Sequence, residues 1–227
     1  MRSALLGLVS AALVLTATPT ARAETWAMPD PRGDVRVLRY DPDNDPCAHV
    51  PEHRNKHDRR RDVRDLAVDH GVDDVAVTLT LGDVDRHDRS TTYSLHLRTP
   101  RRGYFLDYRP LQGDADLFLA VEPDYPSPSE IKDCSFAFSV TDKYCDGLAG
   151  DLSPRTDQLV VTIPRSCLGG PSWVRVAANV YGFSKTDAEG RFAISSDFWA
   201  PRGVKRRGFV PPFGPRVHAE QSAQLRR

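Results

Sequence analysis

An apolar–polar alternation with a period of two constrains this chain more than any other feature. Val75, Val77, Leu79 and Leu81 would share one face of an extended segment, with Thr78 and Thr80 on the other. Tyr93, Leu95 and Leu97 alternate with Ser94, His96 and Arg98, and Tyr104, Leu106 and Tyr108 with Phe105, Asp107 and Arg109. Leu117, Leu119 and Val121 continue the pattern, as do Leu159, Val161 and Ile163, and Val174, Val176, Ala178 and Val180. Successive side chains of a strand point to opposite faces, so each run reads as a half-buried antiparallel strand. Leu66–His70 is a further strand, and Val35–Tyr40 is expected to be the first.

Turn chemistry separates the runs. Gly71-Val72-Asp73-Asp74, Pro100-Arg101-Arg102-Gly103 and Pro110-Leu111-Gln112-Gly113-Asp114 each stand between two of them. Strands at this spacing, with no long helical period between them, predict an all-β fold: an antiparallel β-sandwich, jelly-roll-like, with short turns. At most one short helical turn is expected, at Ser166-Cys167-Leu168-Gly169-Gly170, where glycine ends it. The expected layout is a sandwich domain over 24–200, a charged insertion at 41–62, and a basic Pro/Gly/Arg-rich tail at 201–227, solvated and poorly ordered.

Residues 1–23 have a different character. Met1-Arg2 is followed by an apolar run from Ala4 to Ala17 and then by Ala21-Arg22-Ala23. This is the layout of a secretory signal peptide, with predicted cleavage after Ala23. The run is too short for the roughly 20 residues that span a bilayer, and no second long apolar segment follows. The mature chain is thus expected outside the cell with no transmembrane segment.

Four cysteines in an exported chain read as two disulfides in one of three pairings. A local Cys134–Cys145 bridge is expected, leaving Cys47–Cys167 to close a long loop. A zinc site is the alternative, but no CxxC accompanies them.

Charge narrows the partner classes. Without Arg2 and Arg22 the chain holds 29 basic and 31 acidic residues, a balance that argues against a general nucleic-acid binder. The charge is uneven: residues 201–227 hold seven basic residues and one acid, so 24–200 carries 22 basic and 30 acidic. Such a tail suits attachment to a polyanionic wall.

Several short patterns suggest chemistry. Asp41, Asp43, Asp45 and Glu52 stand at positions one, three, five and twelve of a calcium loop, but Pro46 occupies the position where glycine makes the turn. His49, His53 and His57 would align on a helix to hold a transition metal, although Pro51 and a cationic setting oppose it. Arg32-Gly33-Asp34 spells an adhesion tripeptide, while its glycine suits a turn before Val35. No GxSxG, HExxH or P-loop is present. Phe105, on the polar side of its strand, and Tyr125, in a proline-flanked loop, are candidate ligand-stacking aromatics.

Together, Asp30 to Val35, Asp65 to His70, Val75–Leu81, Ile163 to Gly169, Pro171 to Val176 and Asp197-Phe198-Trp199-Ala200-Pro201 resemble a group of secreted actinobacterial proteins. Their layout is similar to the family 9 carbohydrate-binding-like and DOMON-like β-sandwiches, and the resemblance covers roughly residues 30–200. It implies a sandwich with a binding role, in which some relatives hold sugars between aromatics, some a structural calcium and some haem. A sugar-clamping pair does not transfer residue by residue, and Met28 is the one methionine outside the signal. Asp30 and Asp34 would belong to a structural cation site or cap turns.

Three functions follow as expectations. The first is an exported, non-catalytic sandwich that binds a polysaccharide or other envelope component. The second is a secreted hydrolase using a carboxylate pair. The third is a structural envelope protein that contacts another protein.

Overall fold

A computed structural model describes residues 24–40, 53–85, 87–111, 115–122, 140–186, 188, 190–201 and 212–219. The predicted signal segment, Asp41, Asp43, Asp45, Cys47, His49, Glu52, Tyr125 and Cys134 lie outside the described residues.

The chain is all-β. In order, the strands are β1 (Glu24–Pro29), β2 (Arg36–Tyr40), β3 (His53–Arg54), β4 (Val63–His70), β5 (Asp74–Leu81), β6 (Thr91–Arg98) and β7 (Gly103–Pro110). They continue with β8 (Ala115–Val121), β9 (Thr141–Asp142), β10 (Ala149–Ser153), β11 (Gln158–Pro164), β12 (Trp173–Phe183), β13 (Phe192–Phe198) and β14 (Val217–His218). Among the described residues the single helical element is a 3-10 turn at Arg165–Leu168, ended by Gly169 in a left-handed conformation. No described helix is long and apolar enough to cross a membrane.

Two antiparallel sheets form. One has five strands in the order β1-β4-β5-β11-β10. The other runs β3-β2-β13-β12-β6-β7-β8-β9, with β14 pairing to β12 as its ninth strand. The period-two residues meet between them. Leu66, Val68, Val75, Val77, Leu79, Leu159, Val161 and Ile163 face Tyr93, Leu95, Leu97, Tyr104, Leu106, Val174, Val176 and Val180, all essentially buried in one core. This is the packing of a sandwich, with inner residues of β4, β5, β6, β7, β8, β11 and β12 in the shared layer.

Three expectations are corrected. Val35–Tyr40 is not the first strand: Glu24–Pro29 precedes it and pairs with β4 along its whole length, Glu24 opposite His70 and Pro29 opposite Asp65. As an exposed edge strand, β1 buries little beyond part of Trp26, so alternation does not mark it. The expected disulfides Cys134–Cys145 and Cys47–Cys167 are replaced by Cys145–Cys167, with Cα atoms 5.5 Å apart. The cause is the β10–β11 hairpin, which pairs Ala149 with Thr162 and so brings the segments just outside it together.

The tail is the third correction. Residues 212–219 return to the sandwich: Val217 is buried and pairs with Val174, while His218 pairs with Trp173. The backbone also bonds outside the pairing, from Gly214 N to Val176 O (2.8 Å) and Ala219 N to Ser172 O (3.0 Å). His70 Nδ1 in the five-stranded sheet lies 2.9 Å from Val217 O, so this strap ties both sheets. It crosses Trp26 at Gly214, where a Cβ would fall 2.9 Å from the indole.

Finally, the described end of the insertion is not a helix. His53 lies in a two-residue strand and His57 in a turn, both exposed, so the histidine spacing has no common helical face. Its basic run is neutralised by an acidic turn: Arg60 pairs with Asp85 (3.2 Å), and Arg61 with Asp58 (3.0 Å) and Asp88 (3.8 Å).

Candidate functional site

The outer face of the nine-stranded sheet is where the sequence places Phe105, and much of it is polar yet buried, with Thr92, Ser94 and Asp107 among the buried residues. Strand register sets three rows across it. In one row Phe198, Asn179, Ser94, Asp107 and Phe118 lie side by side. In the next, Ser196, Tyr181, Thr92 and Arg109 do so, because Tyr181 pairs with Thr92 and Tyr93 with Tyr108. The third row runs Ala177, His96, Phe105 and Ala120. The face thus carries aromatic rings between hydroxyls, an amide and charged groups, whereas the inner face of the same strands is aliphatic and tyrosine.

The polar groups are organised. Ser94 donates its hydroxyl to Asp107 Oδ1, and Arg109 Nη2 reaches Asp107 Oδ2 at 3.2 Å. Burial pushes the Asp107 carboxyl above its usual range, while the bonds from Ser94 and Arg109 work the other way. Burial also raises the Tyr181 phenol, and the nearby Asp107 adds to this. His96 Nδ1 sits 3.0 Å from Glu122 Oε1, and its ring lies 5.3 Å from the half-buried Phe105 ring at a tilt of 54°. Asn179 Oδ1 is buried with no hydrogen-bond donor among the described residues. These groups set the half-buried Phe105 ring beside donors and acceptors that are themselves mostly buried, with Ser94 1% exposed and Asp107 4%; an aromatic ring beside fixed polar groups is the combination that recognises a sugar ring.

A second cluster holds the acidic candidates. Asp30 and Asp34, on the loop between β1 and β2, meet Asp197 at the end of β13, and one carboxylate oxygen of each lies within 4.8 Å of the others. Gly33 makes this loop possible: its φ is +65°, and its N–H donates to Asp62 Oδ1 at 2.7 Å. Ala200 N donates to Asp30 Oδ1 (2.6 Å) and Val63 N to Asp197 Oδ2 (3.0 Å). Asp34 Oδ1 is buried with no hydrogen-bond donor among the described residues. Three hard oxygen donors in one place suit Ca²⁺ better than a transition metal. Asp34 is half-buried in this cluster, so Arg32-Gly33-Asp34 shapes a turn rather than presenting an adhesion loop.

Both clusters contain residues that sequence reasoning missed. Asp197 was far from Asp30 in the chain, and only the β13 pairing with β2 brings it near. Tyr181, Asn179 and Asp107 read as ordinary outward positions, and a count of aromatics on the outward side of each strand was the available signal. Met28 is an exposed edge-strand residue whose carbonyl accepts the Trp199 indole N–H. Two concavities lie elsewhere: one of about 460 Å³ lined by Arg60, Asp83, Asp85, His87 and Arg155, and one of about 320 Å³ beside Thr99 and Gly169. In the first, Arg60 pairs with Asp85 at 3.2 Å.

In comparisons with family models, curated proteins and solved structures, nothing matches this chain.

Proposed function

We propose that this chain is an exported, non-catalytic binding sandwich whose ligand is a glycan held on the outer face of the nine-stranded sheet. The observation that carries the reading is the Phe105–His96 pair set in a row beside the Ser94–Asp107–Arg109 network. The disulfide agrees with an oxidising compartment, as the predicted signal peptide requires. Stacking on one aromatic face contributes on the order of 1 kcal/mol or more to a weak complex. Phe105→Ala is therefore expected to weaken binding about tenfold while leaving the melting temperature nearly unchanged. Titration of both chains against a panel of wall polysaccharides checks this. Equal affinity of the two chains would remove Phe105 from the site, and no binding by either would remove the reading.

Asp30, Asp34 and Asp197 would hold a structural divalent cation, and the buried Asp34 Oδ1 without a donor favours this role. Gathered carboxylates repel one another, and a cation reverses the sign of that interaction. At calcium about a hundredfold above its dissociation constant, stability should rise by about 2.7 kcal/mol. For a chain of this size that raises Tm by roughly 5–10 °C. Thermal scans with calcium and with chelator check it; Asp34→Asn should abolish the difference, and equal Tm values in the wild-type chain would dismiss the site.

A further inference from the structure

One end of the same face gathers three arginines. Arg175 and Arg98 are register partners on β12 and β6, and Arg98 follows His96 by two residues on the outward side. The Arg98 guanidinium lies 4.5 Å above the Phe213 ring, and that of Arg175 lies 5.8 Å from the same ring centre. Arg216 lies 4.5 Å over Trp173. Among the described residues none of the three forms an ion pair. Arg98 and Arg216 are exposed, whereas Arg175 is half-buried and donates to Gly214 O (2.7 Å) and Phe213 O (3.1 Å). Burial lowers the Arg175 pKa, and the neighbouring Arg98 and Arg216 lower it further.

Two of these guanidiniums share the Phe213 ring, a gathering of like charge with no ion pair among the described residues. They stand against a body that is otherwise acidic, with 22 basic and 30 acidic residues over 24–200. Two carboxylates stand at this end against three guanidiniums: Glu122, with Oε1 3.0 Å from His96 Nδ1 and its other oxygen over Gly103, and Glu24, whose Oε2 accepts the His218 N–H. A guanidinium stacked on a ring still presents its N–H edge, and stacking holds the long side chain extended. The two exposed arginines are therefore prepared to take oxyanions in a bidentate manner with little ordering cost.

We infer that the glycan bound by this face is acidic, with carboxylate or phosphodiester groups taken by Arg98 and Arg216 and a sugar ring by Phe105. The inference rests on the proposed glycan face and names its substrate class. Residues two apart on a strand are about 6.6–7 Å apart, so a sugar over the Phe105–His96 pair carries its charged substituent toward Arg98. A polymer with a regular anionic repeat would continue to Arg216.

The test uses the full mature chain and its Arg98→Ala/Arg216→Ala variant, with four probes: polygalacturonate, polyglycerol phosphate, a neutral glucan and single-stranded DNA. The expected result is binding to at least one of the two acidic polymers that falls tenfold or more in the variant. It should also weaken about tenfold as salt rises from about 0.05 to 0.5 M. The two acidic arms distinguish uronate from phosphate recognition. Glucan binding that survives in the variant, without acidic-polymer binding, overturns the acidic class while leaving the face in place. Failure with every polymer overturns both. DNA binding equal to that of the acidic polymers overturns the requirement for a sugar ring. Circular dichroism of the variant, expected to match wild type, keeps loss of binding separate from loss of fold.

Discussion

Replacing Trp199 with alanine is expected to destabilise the chain by about 3–5 kcal/mol. Trp199 is among the largest fully buried side chains, 1% exposed, and sits where the two sheets close on each other. Its ring meets the edge of Trp26 on β1 at a centroid distance of 5.2 Å and an angle of 85°. Its indole N–H donates to Met28 O in β1 (3.0 Å), while its backbone N–H donates to Ala178 O in β12 (3.0 Å). One residue thus links the outermost strand of the five-stranded sheet to a central strand of the other. The next residue, Ala200, donates to Asp30, so the same turn also sets the acidic cluster. Alanine would leave a cavity and an unpaired carbonyl. Trp199→Phe keeps most of the packing and loses the indole donor, at a cost of about 1–3 kcal/mol. Urea unfolding of both variants checks the order; an alanine variant within about 1 kcal/mol of wild type would mean that Trp199 does not tie the sheets.

The second large effect concerns the strap. Val217 is 1% exposed, and Val217→Asp would put a charge into the core beside His70. An unpaired buried charge is expected to cost about 3 kcal/mol or more, so the variant should lose the strap or the fold. Limited proteolysis reads this as new cleavage after Pro201, whereas uncleaved variant protein of wild-type stability would contradict the docking of 212–219.

The strap also gives the stability a pH dependence. His70 is buried, its Nε2 has no hydrogen-bond partner, and its Nδ1 faces Val217 O. Burial lowers its pKa, the Val217 contact works against this, Arg165 and His218 lower it further, and Asp69 raises it. A histidine with a lowered folded-state pKa binds fewer protons folded than unfolded. Its contribution is therefore present above about pH 6.5, the unfolded value, and is lost as pH falls through the folded value. Asp62 and Asp107 act with the opposite sign, because their pKa values are raised and the stability they contribute is lost as pH rises. Comparing wild type with His70→Gln isolates the histidine: the variant should lose less stability on acidification. Parallel curves would dismiss it.

The core was legible because each inner strand alternates without interruption. Val75 to Leu81 and Leu159 to Ile163 pair as β5 and β11 in register, Leu79 opposite Leu159 and Val77 opposite Val161. Strands with mixed faces were not legible. In β13, Ile194 faces outward beside Ser196 while Asp197 is fully buried, so hydropathy does not alternate. The strap was hidden by its setting: Val217 is a single apolar residue in a basic, proline-rich stretch, and only pairing with β12 explains its burial. Nearness in sequence suggested Cys134–Cys145, yet a hairpin brought Cys145 to a partner 22 residues away. Phe105 was legible as an aromatic on a polar side. The rows that give it His96, Tyr181 and Asp107 as neighbours depend on register between strands distant in sequence.

The most direct measurement of the proposed binding face is amide chemical-shift mapping on the isotope-labelled mature chain, with the glycan that binds it most tightly. The expected result is a contiguous set of perturbations on β6, β7 and β12, centred on His96, Phe105 and Tyr181 and extending to Arg98. Perturbations confined to the Arg60–Asp85 end, or spread over the five-stranded sheet with the outer face silent, would contradict it.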